Sequence, residues 1–219
     1  MNNDDSIKKR QSISRHPLTI VIAGFLLSGV AGTWLSNFYS DKQNERARFF
    51  EVTAARRAAI QDFARLLYER RTRAEMLHSS MKRQAPIEEI NERKRLYDEA
   101  YVAWGSNLQA NLFMIRSVLE ADTYSDFEGH VEFRLVPILK NIDSCLTKAY
   151  DENLRERDPL RILDGCGINK ELQLALDCGY AITDELFRVA APISPLNSDQ
   201  ERLLRSKANA EIARRCKVD

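Results

Sequence analysis

Glu75 and His78 come closest to a metal-binding pattern in this sequence. Helical bundles that hold two iron ions use a Glu-x-x-His pair on each of two helices, together with further glutamates. The sequence has this one pair, because His130 has no glutamate three residues before it and His16 flanks an apolar stretch. We therefore expect no metal and no other cofactor, and we interpret Glu75 and His78 as solvated neighbours on a charged helix face.

The four cysteines offer a second kind of chemistry, and they are Cys145, Cys166, Cys178 and Cys216. They lack the C-x-x-C spacing of zinc sites, and a cysteine nucleophile would need a histidine brought to it by the fold. If the body of the chain is exported, four cysteines allow three complete pairings. We predict a Cys166–Cys178 disulfide, which closes a short loop and stabilises the fold by about 3 kcal/mol in the chain-entropy model. Cys145 fits a small core residue instead, because it lies on an apolar stripe.

The run Tyr68–Arg73, YERRTR, is the most concentrated basic patch, and its cations are Arg70, Arg71 and Arg73. Such a patch can meet anionic lipid head groups or a nucleic acid. Over the whole chain, however, 33 Lys and Arg residues are balanced by 32 Asp and Glu residues, giving a formal net charge of +1. This balance creates no general attraction to nucleic acid. We expect no nucleic-acid partner and interpret the run as a solvated helix face.

Catalytic motifs are not found in the sequence. Gly165 and Gly167 flank Cys166, but they lack the later glycine and the preceding strand of a dinucleotide-binding loop. No nucleophile elbow occurs either. We therefore predict a protein that is not an enzyme, with catalytic groups gathered by the fold from distant positions as the alternative.

The stretch 18–39 contains no charged residue. As a helix it would be about 33 Å long, enough to cross a hydrocarbon core of about 30 Å. The alternative is a cleaved secretory signal, because basic residues precede the stretch. Retention is favoured by apolar character that continues past the weak cleavage site and by three residues placed like an interfacial aromatic belt, Trp34, Phe38 and Tyr39. We predict a basic tail at 1–17, a transmembrane anchor at 18–39, and the bilayer as a partner.

Small residues recur at every fourth position of this stretch, at Gly24, Ser28, Gly32 and Ser36. Such a face lets two helices approach closely, so we predict homo-oligomerisation through the anchor. The alternative is that glycine and serine are simply frequent in membrane-spanning helices. Lys and Arg residues are nearly balanced on the two sides of the anchor, which leaves its orientation open. The short basic tail favours an N-terminus in the cytoplasm and a body outside the inner membrane of a bacterium.

The body, residues 40–219, has apolar residues in helical registers. We predict a helix that ends at Ala85-Pro86, a second at 87–120, and a turn at 122–126. A third helix follows at 127–149, kinked or divided by Pro137, then a connection at 157–169 and a fourth helix outlined by 172–190. A capping box at Ser198 and Glu201 opens a short last helix. The predicted fold is all-α, an antiparallel bundle of four long helices plus a short C-terminal helix.

The sequence predicts a membrane anchor and a hydrophobic core but contains no catalytic motif. This combination favours a non-catalytic function. We expect a non-catalytic, single-pass membrane protein whose bundle binds an unknown partner protein or supports a membrane assembly. Two alternatives stay open: an extracytoplasmic ligand-binding bundle that acts like a sensor through a separate partner, and an effector that perturbs the membrane.

Overall fold

In a computed structural model the chain is described over residues 21, 24–25, 29, 32–192 and 196–217. The described residues contain helices, turns and short connections but no strand, which confirms the predicted all-α class. The chain divides into two compact units, Met1–Phe50 and Glu51–Asp219. The second unit, Glu51–Asp219, contains the helical bundle.

The described helices follow one another through short connections. In chain order they are α1 (Gly32–Lys82), α2 (Ile87–Val118), α3 (Ala121–His130), a π-helical turn (Val131–Leu135), α4 (Val136–Leu154), α5 (Leu160–Gly165), α6 (Ile168–Ala190) and α7 (Ser198–Arg215).

Pro86 separates α1 from α2 as predicted. It is the N-cap of α2, with an extended ψ of 144° that does not continue a helix. The preceding residue, Ala85, is restricted to extended backbone by the proline ring, and α1 ends at Lys82. Both helix boundaries at this point therefore follow from a local rule.

The predicted turn at 122–126 is wrong, because these residues lie inside α3. Tyr124 and Phe127 are buried, and the ring of Phe127 packs edge-on against Phe63 at 5.2 Å. Burial of these two aromatic side chains favours a helix despite the polar residues around them. The irregularity comes later, at the π-helical turn, where the Val136 N–H donates to the Val131 carbonyl immediately before Pro137.

The predicted connection at 157–169 also contains more helix than expected. Pro159 opens the short helix α5, and α6 begins at Ile168, inside the range predicted to be irregular. Gly167 lies between them with a left-handed φ of 62°, a conformation that glycine adopts without a Cβ clash.

The capping box of α7 lies one residue earlier than predicted. The Asn197 side chain accepts a hydrogen bond from the Gln200 backbone N–H at 2.9 Å, and the Gln200 side chain accepts one from the Asn197 N–H at 3.1 Å. Asn197 replaces Ser198 in this role because asparagine is at least as good an N-cap. The reciprocal pattern itself was predicted correctly; its register was not.

The core of the bundle is centred on the fully buried Phe63 of α1. Its ring centroid lies 5.6 Å from that of Trp104 on α2 and 5.2 Å from that of Phe127 on α3. The predicted apolar stripe of α1 is buried from Ala59 onward, whereas Val52 is exposed. These contacts join three helices around one aromatic cluster.

Two contacts tie α1 to α6. The Leu67 side chain fills the space over Gly179, where an added Cβ would lie 2.5 Å from the Leu67 Cδ2. Arg56 donates from Nε to the Val118 carbonyl at 2.7 Å and from Nη1 to the Ala190 carbonyl at 3.2 Å. Val118 and Ala190 are the last residues of α2 and α6, so one guanidinium caps two helix C-termini.

The predicted tail at 1–17, ten of the 22 residues of the predicted anchor at 18–39, and Ser28 of the small-residue face lie outside the described residues. Within the described part of the chain, no helix is both long and apolar enough to cross a membrane. The predicted aromatic belt is described: Trp34, Phe38 and Tyr39 are exposed, and the Trp34 and Phe38 rings stack at 5.9 Å.

Candidate functional site

The second half of α2 presents an uncharged surface to solvent. Residues 100–115 contain no charged side chain, although 30% of the chain is charged. Three large apolar side chains stand out from it, with Val102 63%, Phe113 65% and Met114 59% exposed. We call this surface the uncharged face, and it consists of Val102, Ala103, Ser106, Gln109, Ala110, Phe113 and Met114.

Helical spacing places the uncharged face opposite the buried side of α2. Trp104, Leu112 and Ile115 are buried in the core. At 100° per residue, Ser106 and Phe113 lie about 160° or more from the direction of Trp104. The same run of sequence therefore supplies a core stripe and, on the other side of the helix, an exposed surface without charge. Sequence reasoning identified the core stripe and missed the exposed one, although the absence of charge from 100 to 115 was a usable signal.

The first half of α2 is covered by ion pairs instead. Arg93 pairs with Glu89 at 2.8 Å and Lys94 pairs with Asp98 at 2.7 Å. Arg95 pairs with both Glu92 and Glu99. Exposed pairs of this kind contribute little to stability but keep a helix surface well hydrated. The surface thus changes from charged to uncharged at residue 100.

An open groove beside α4 borders the uncharged face. It is lined by Val102, Ala103 and Ser106 of this face, by Tyr150 of α4, and by four charged residues of the first half of α2: Lys94, Arg95, Asp98 and Glu99. The Tyr150 hydroxyl donates to the Asn91 side chain at 2.9 Å. This hydrogen bond holds the tyrosine ring in position beside the groove.

The predicted basic patch is not a solvated face. Arg70 is only 5% exposed, and its guanidinium lies 4.8 Å from the Tyr101 ring centroid and 5.9 Å from that of Trp104. Arg70 lies four residues from both Leu66 and Ala74, so its register placed it on the buried stripe. The prediction of a solvated basic patch is therefore wrong for Arg70. Arg73 is half-buried.

Arg70 also lies near a buried phenol. The Tyr97 hydroxyl donates to Asp143 Oδ1 at 3.2 Å, and Tyr97 is fully buried. Burial raises the pKa of Tyr97 above its ordinary value, and the Asp143 carboxylate raises it further while Arg70 opposes this. Arg70, Tyr97 and Asp143 therefore connect α1, α2 and α4, and we interpret them as a structural network.

Glu75 and His78 do not form a metal site with other described residues. Glu75 pairs with Arg71, and His78 is buried. Burial lowers the pKa of His78, and the nearby Lys82 lowers it further. The part of the chain that the structure describes has no group of three or more His, Cys, Asp or Glu side chains arranged to hold a metal ion.

His130 joins α3 to α7 through Asn209. The imidazole Nε2 donates to Asn209 Oδ1 at 3.1 Å, and Asn209 Nδ2 donates to Asp126 Oδ2 at 2.7 Å. Arg205 lies 3.6 Å from the same Asp126 oxygen. Burial lowers the pKa of His130, so its imidazole is neutral at pH 7. The cluster fixes the C-terminal helix to the bundle.

The predicted Cys166–Cys178 disulfide is wrong. Cys166 pairs with Cys145, at a Cα–Cα distance of 6.1 Å, and Cys178 pairs with Cys216, at 4.5 Å. Cys178 lies ten residues along α6 from Ile168, about 15 Å from the start of the helix, which is beyond disulfide reach of a residue just before it. The first bond ties the end of α5 to α4, and the second ties α7 to α6.

The described part of the bundle therefore offers structural polar clusters, two disulfides and one uncharged helix face. The large apolar side chains of the uncharged face are exposed and do not contribute to the core, so packing of the bundle does not explain them. Comparison with known proteins finds no matching family model, no matching curated protein and no matching solved structure.

Proposed function

We propose that the chain is a non-catalytic, single-pass membrane protein whose helical bundle docks a protein partner on the uncharged face of α2. The observation that carries the proposal is the exposure of Val102, Phe113 and Met114 within a run that has no charge. Exposed apolar side chains grouped on one helix face are typical of interaction sites, whereas single exposed ones are ordinary.

The free energy expected from burying these three side chains fits a weak contact, which becomes stronger when both partners are anchored in one membrane. Complete burial of a large apolar side chain contributes about 1.5–3 kcal/mol. Three side chains that are about 60% exposed would therefore contribute about 3–5 kcal/mol on docking. Association in free solution costs at least about 4 kcal/mol. Anchoring both partners in one bilayer raises their effective concentration, which is how a face of this size becomes useful.

The anchor and the cysteines support the location. The stretch 18–39 is long enough to span and carries no charge. Both disulfides join residues of the bundle, and disulfides persist in oxidising compartments. A bundle outside the cytoplasm, with the N-terminus inside, agrees with both features.

Site-specific photo-crosslinking in intact cells tests the docking. A benzoylphenylalanine at Phe113 should give one adduct of defined mass, because this side chain would be covered by the partner. The matched control is the same substitution at Ser144, an exposed residue on a different helix, α4. A pattern of adducts equal at the two positions, or none at Phe113, would contradict the docking.

Fractionation tests the location. The full chain should stay in membranes after extraction with alkali, and an impermeant thiol reagent should label Cys166 in intact cells only after reduction. Labelling that requires cell lysis would place the bundle in the cytoplasm. Release by alkali would contradict the anchor.

A further inference from the structure

We propose that the cavity between α1 and the start of α6 binds a phosphate monoester. The cavity has a volume of about 500 Å³ and is lined mainly by polar residues of the two helices. This volume is in the range of small-molecule sites and exceeds a phosphate group alone, so the ligand carries a further organic part. Binding here is a function separate from the docking proposed on α2.

The register of α1 and α6 places the cavity at the beginning of α6. The Leu67 side chain of α1 lies over Gly179 of α6. Eleven residues earlier on α1, Arg56 donates to the carbonyl of Ala190, which is eleven residues later on α6. The two helices are therefore antiparallel. Eleven residues further along α1, the same register brings His78 beside the first residue of α6.

The N-terminus of α6 has backbone donors without an acceptor. Its N-cap is Gly167, and no side chain caps the helix. The N–H groups of Ile168 and Asn169 make no hydrogen bond to any described residue. A 23-residue helix carries a partial positive charge at this end, and free N–H groups there are suited to an anion.

His78 supplies a second observation, independent of the helix end. It is only 8% exposed and lines the cavity, yet its ring nitrogens form no hydrogen bond within the described part of the chain. Buried polar groups are nearly always hydrogen-bonded, and each exception needs an explanation. A ligand oxygen in the cavity would accept a hydrogen bond from this imidazole.

The charges around the cavity favour an anion. Lys82 lines it, is exposed and forms no ion pair with a described residue. Arg71 also lines it but is paired with Glu75, so these two side chains nearly cancel in charge. Lys82 acts on the pKa of the His78 imidazole more strongly than either Glu75 or Asp164 does. The uncompensated charge beside His78 is therefore positive.

These donors match the chemistry of a phosphate monoester. Backbone N–H groups, an imidazole and an ammonium group surround one end of the cavity, and a phosphate monoester offers three free oxygens to accept from them. Such a group occurs both in soluble metabolites and in phosphatidic acid head groups. The experiment therefore has to distinguish these two sources.

Histidine NMR tests the binding directly. The chain has three histidines, His16, His78 and His130, so the full chain labelled at histidine gives few imidazole signals. In a maltoside detergent at constant pH and ionic strength, inorganic phosphate should shift the His78 signals saturably and leave those of His130 unchanged. His78 signals that do not move, or that move in parallel with those of His130, would overturn the proposal.

Two substitutions at the cavity provide the second measurement. In Asn169→Asp a carboxylate in the first turn of α6 favours the helix but repels phosphate, so phosphate affinity should fall about tenfold or more. Lys82→Met should also weaken binding, because it removes the uncompensated cation. The matched controls are Asn141→Asp and Lys148→Met, which make the same changes at exposed residues of α4 and should bind phosphate like the wild type.

Circular dichroism should show the same helix content in all four variants, so that a loss of binding is not a loss of fold. Equal phosphate affinity of Asn169→Asp and Asn141→Asp would contradict a site at the start of α6.

Nanodiscs identify the source of the phosphate group. The His78 signals are compared in discs of phosphatidylcholine alone, in discs that also contain phosphatidic acid, and in the first discs after addition of inorganic phosphate. A shift caused by phosphatidic acid supports a lipid head group as the ligand, and a shift caused only by dissolved phosphate supports a soluble monoester. The absence of both shifts would overturn the proposal and leave the docking on α2 untouched.

Discussion

Arg56 is expected to stabilise the bundle more than any ordinary surface arginine, because it caps two helices at once. Replacing it by methionine in Arg56→Met keeps most of the aliphatic side chain and removes both hydrogen bonds, to the Val118 and Ala190 carbonyls. A hydrogen bond from a charged donor contributes about 1.5–3 kcal/mol. The side chain is half-buried, so water replaces part of the interaction and the lower values apply. The free energy of unfolding should fall by about 2–3 kcal/mol.

Urea unfolding of the full chain in detergent, followed by circular dichroism, measures this change. For a domain of this size, 2–3 kcal/mol corresponds to a decrease in Tm of about 4–12 °C. Arg65→Met is the matched control, since Arg65 is also on α1 and its ion pair with Asp62, at 3.7 Å, is exposed on both sides. The control should lower the free energy of unfolding by less than about 1 kcal/mol.

Arg56→Lys refines the test. Lysine keeps the positive charge near the helix C-termini but presents a single ammonium group in place of the planar fork that reaches both carbonyls. Its effect should fall between those of the wild type and Arg56→Met. If Arg56→Met and Arg65→Met lower stability equally, the capping argument is refuted, because the loss would then come from the charge alone.

Three further changes have expected outcomes. Gly179→Ala should destabilise by up to about 2 kcal/mol in urea unfolding, because overpacking against Leu67 exceeds the helix-propensity gain; an increase in stability would contradict the contact. Since burial lowers the pKa of His130 below 6.5, the unfolded chain binds more protons and stability should fall as the pH falls below about 6.5. His130→Gln should reduce that dependence, and an unchanged pH profile would exclude a contribution from this residue. Joint replacement of Cys178 and Cys216 by alanine should cost about 4 kcal/mol for a separation of 38 residues, and a loss below about 1 kcal/mol would refute the pairing.

The helices could be predicted from sequence where a local rule decided the outcome. Pro86 ends α1 and opens α2 for steric reasons that involve its neighbours alone. The turn predicted at 122–126 failed because the polar residues there suggested a loop, whereas Tyr124 and Phe127 are held in a helix by burial against distant residues. Local composition gives no measure of such contacts.

Candidate sites were harder to predict because they depend on pairs brought together by the fold. Arg70 looked like one cation in a basic run, yet its position four residues after Leu66 already placed it on the buried stripe. For the cysteines, short spacing favoured Cys166–Cys178. The helical rise of α6 carries Cys178 away from Cys166 and beside α7, where Cys216 lies. Spacing along the chain measures loop entropy, whereas a disulfide needs proximity in space.

The change of surface within α2 is the strongest reason to regard its second half as functional. Helix propensity does not require it, because Glu, Lys and Arg are as favourable in a helix as most of the residues that replace them after residue 100. Core packing does not require it either, since Trp104, Leu112 and Ile115 face the other way. Solubility favours charge on such a surface, and the first half of the same helix has it in abundance. A surface that departs from all three tendencies is what the proposed docking function would produce, because a partner would bury it.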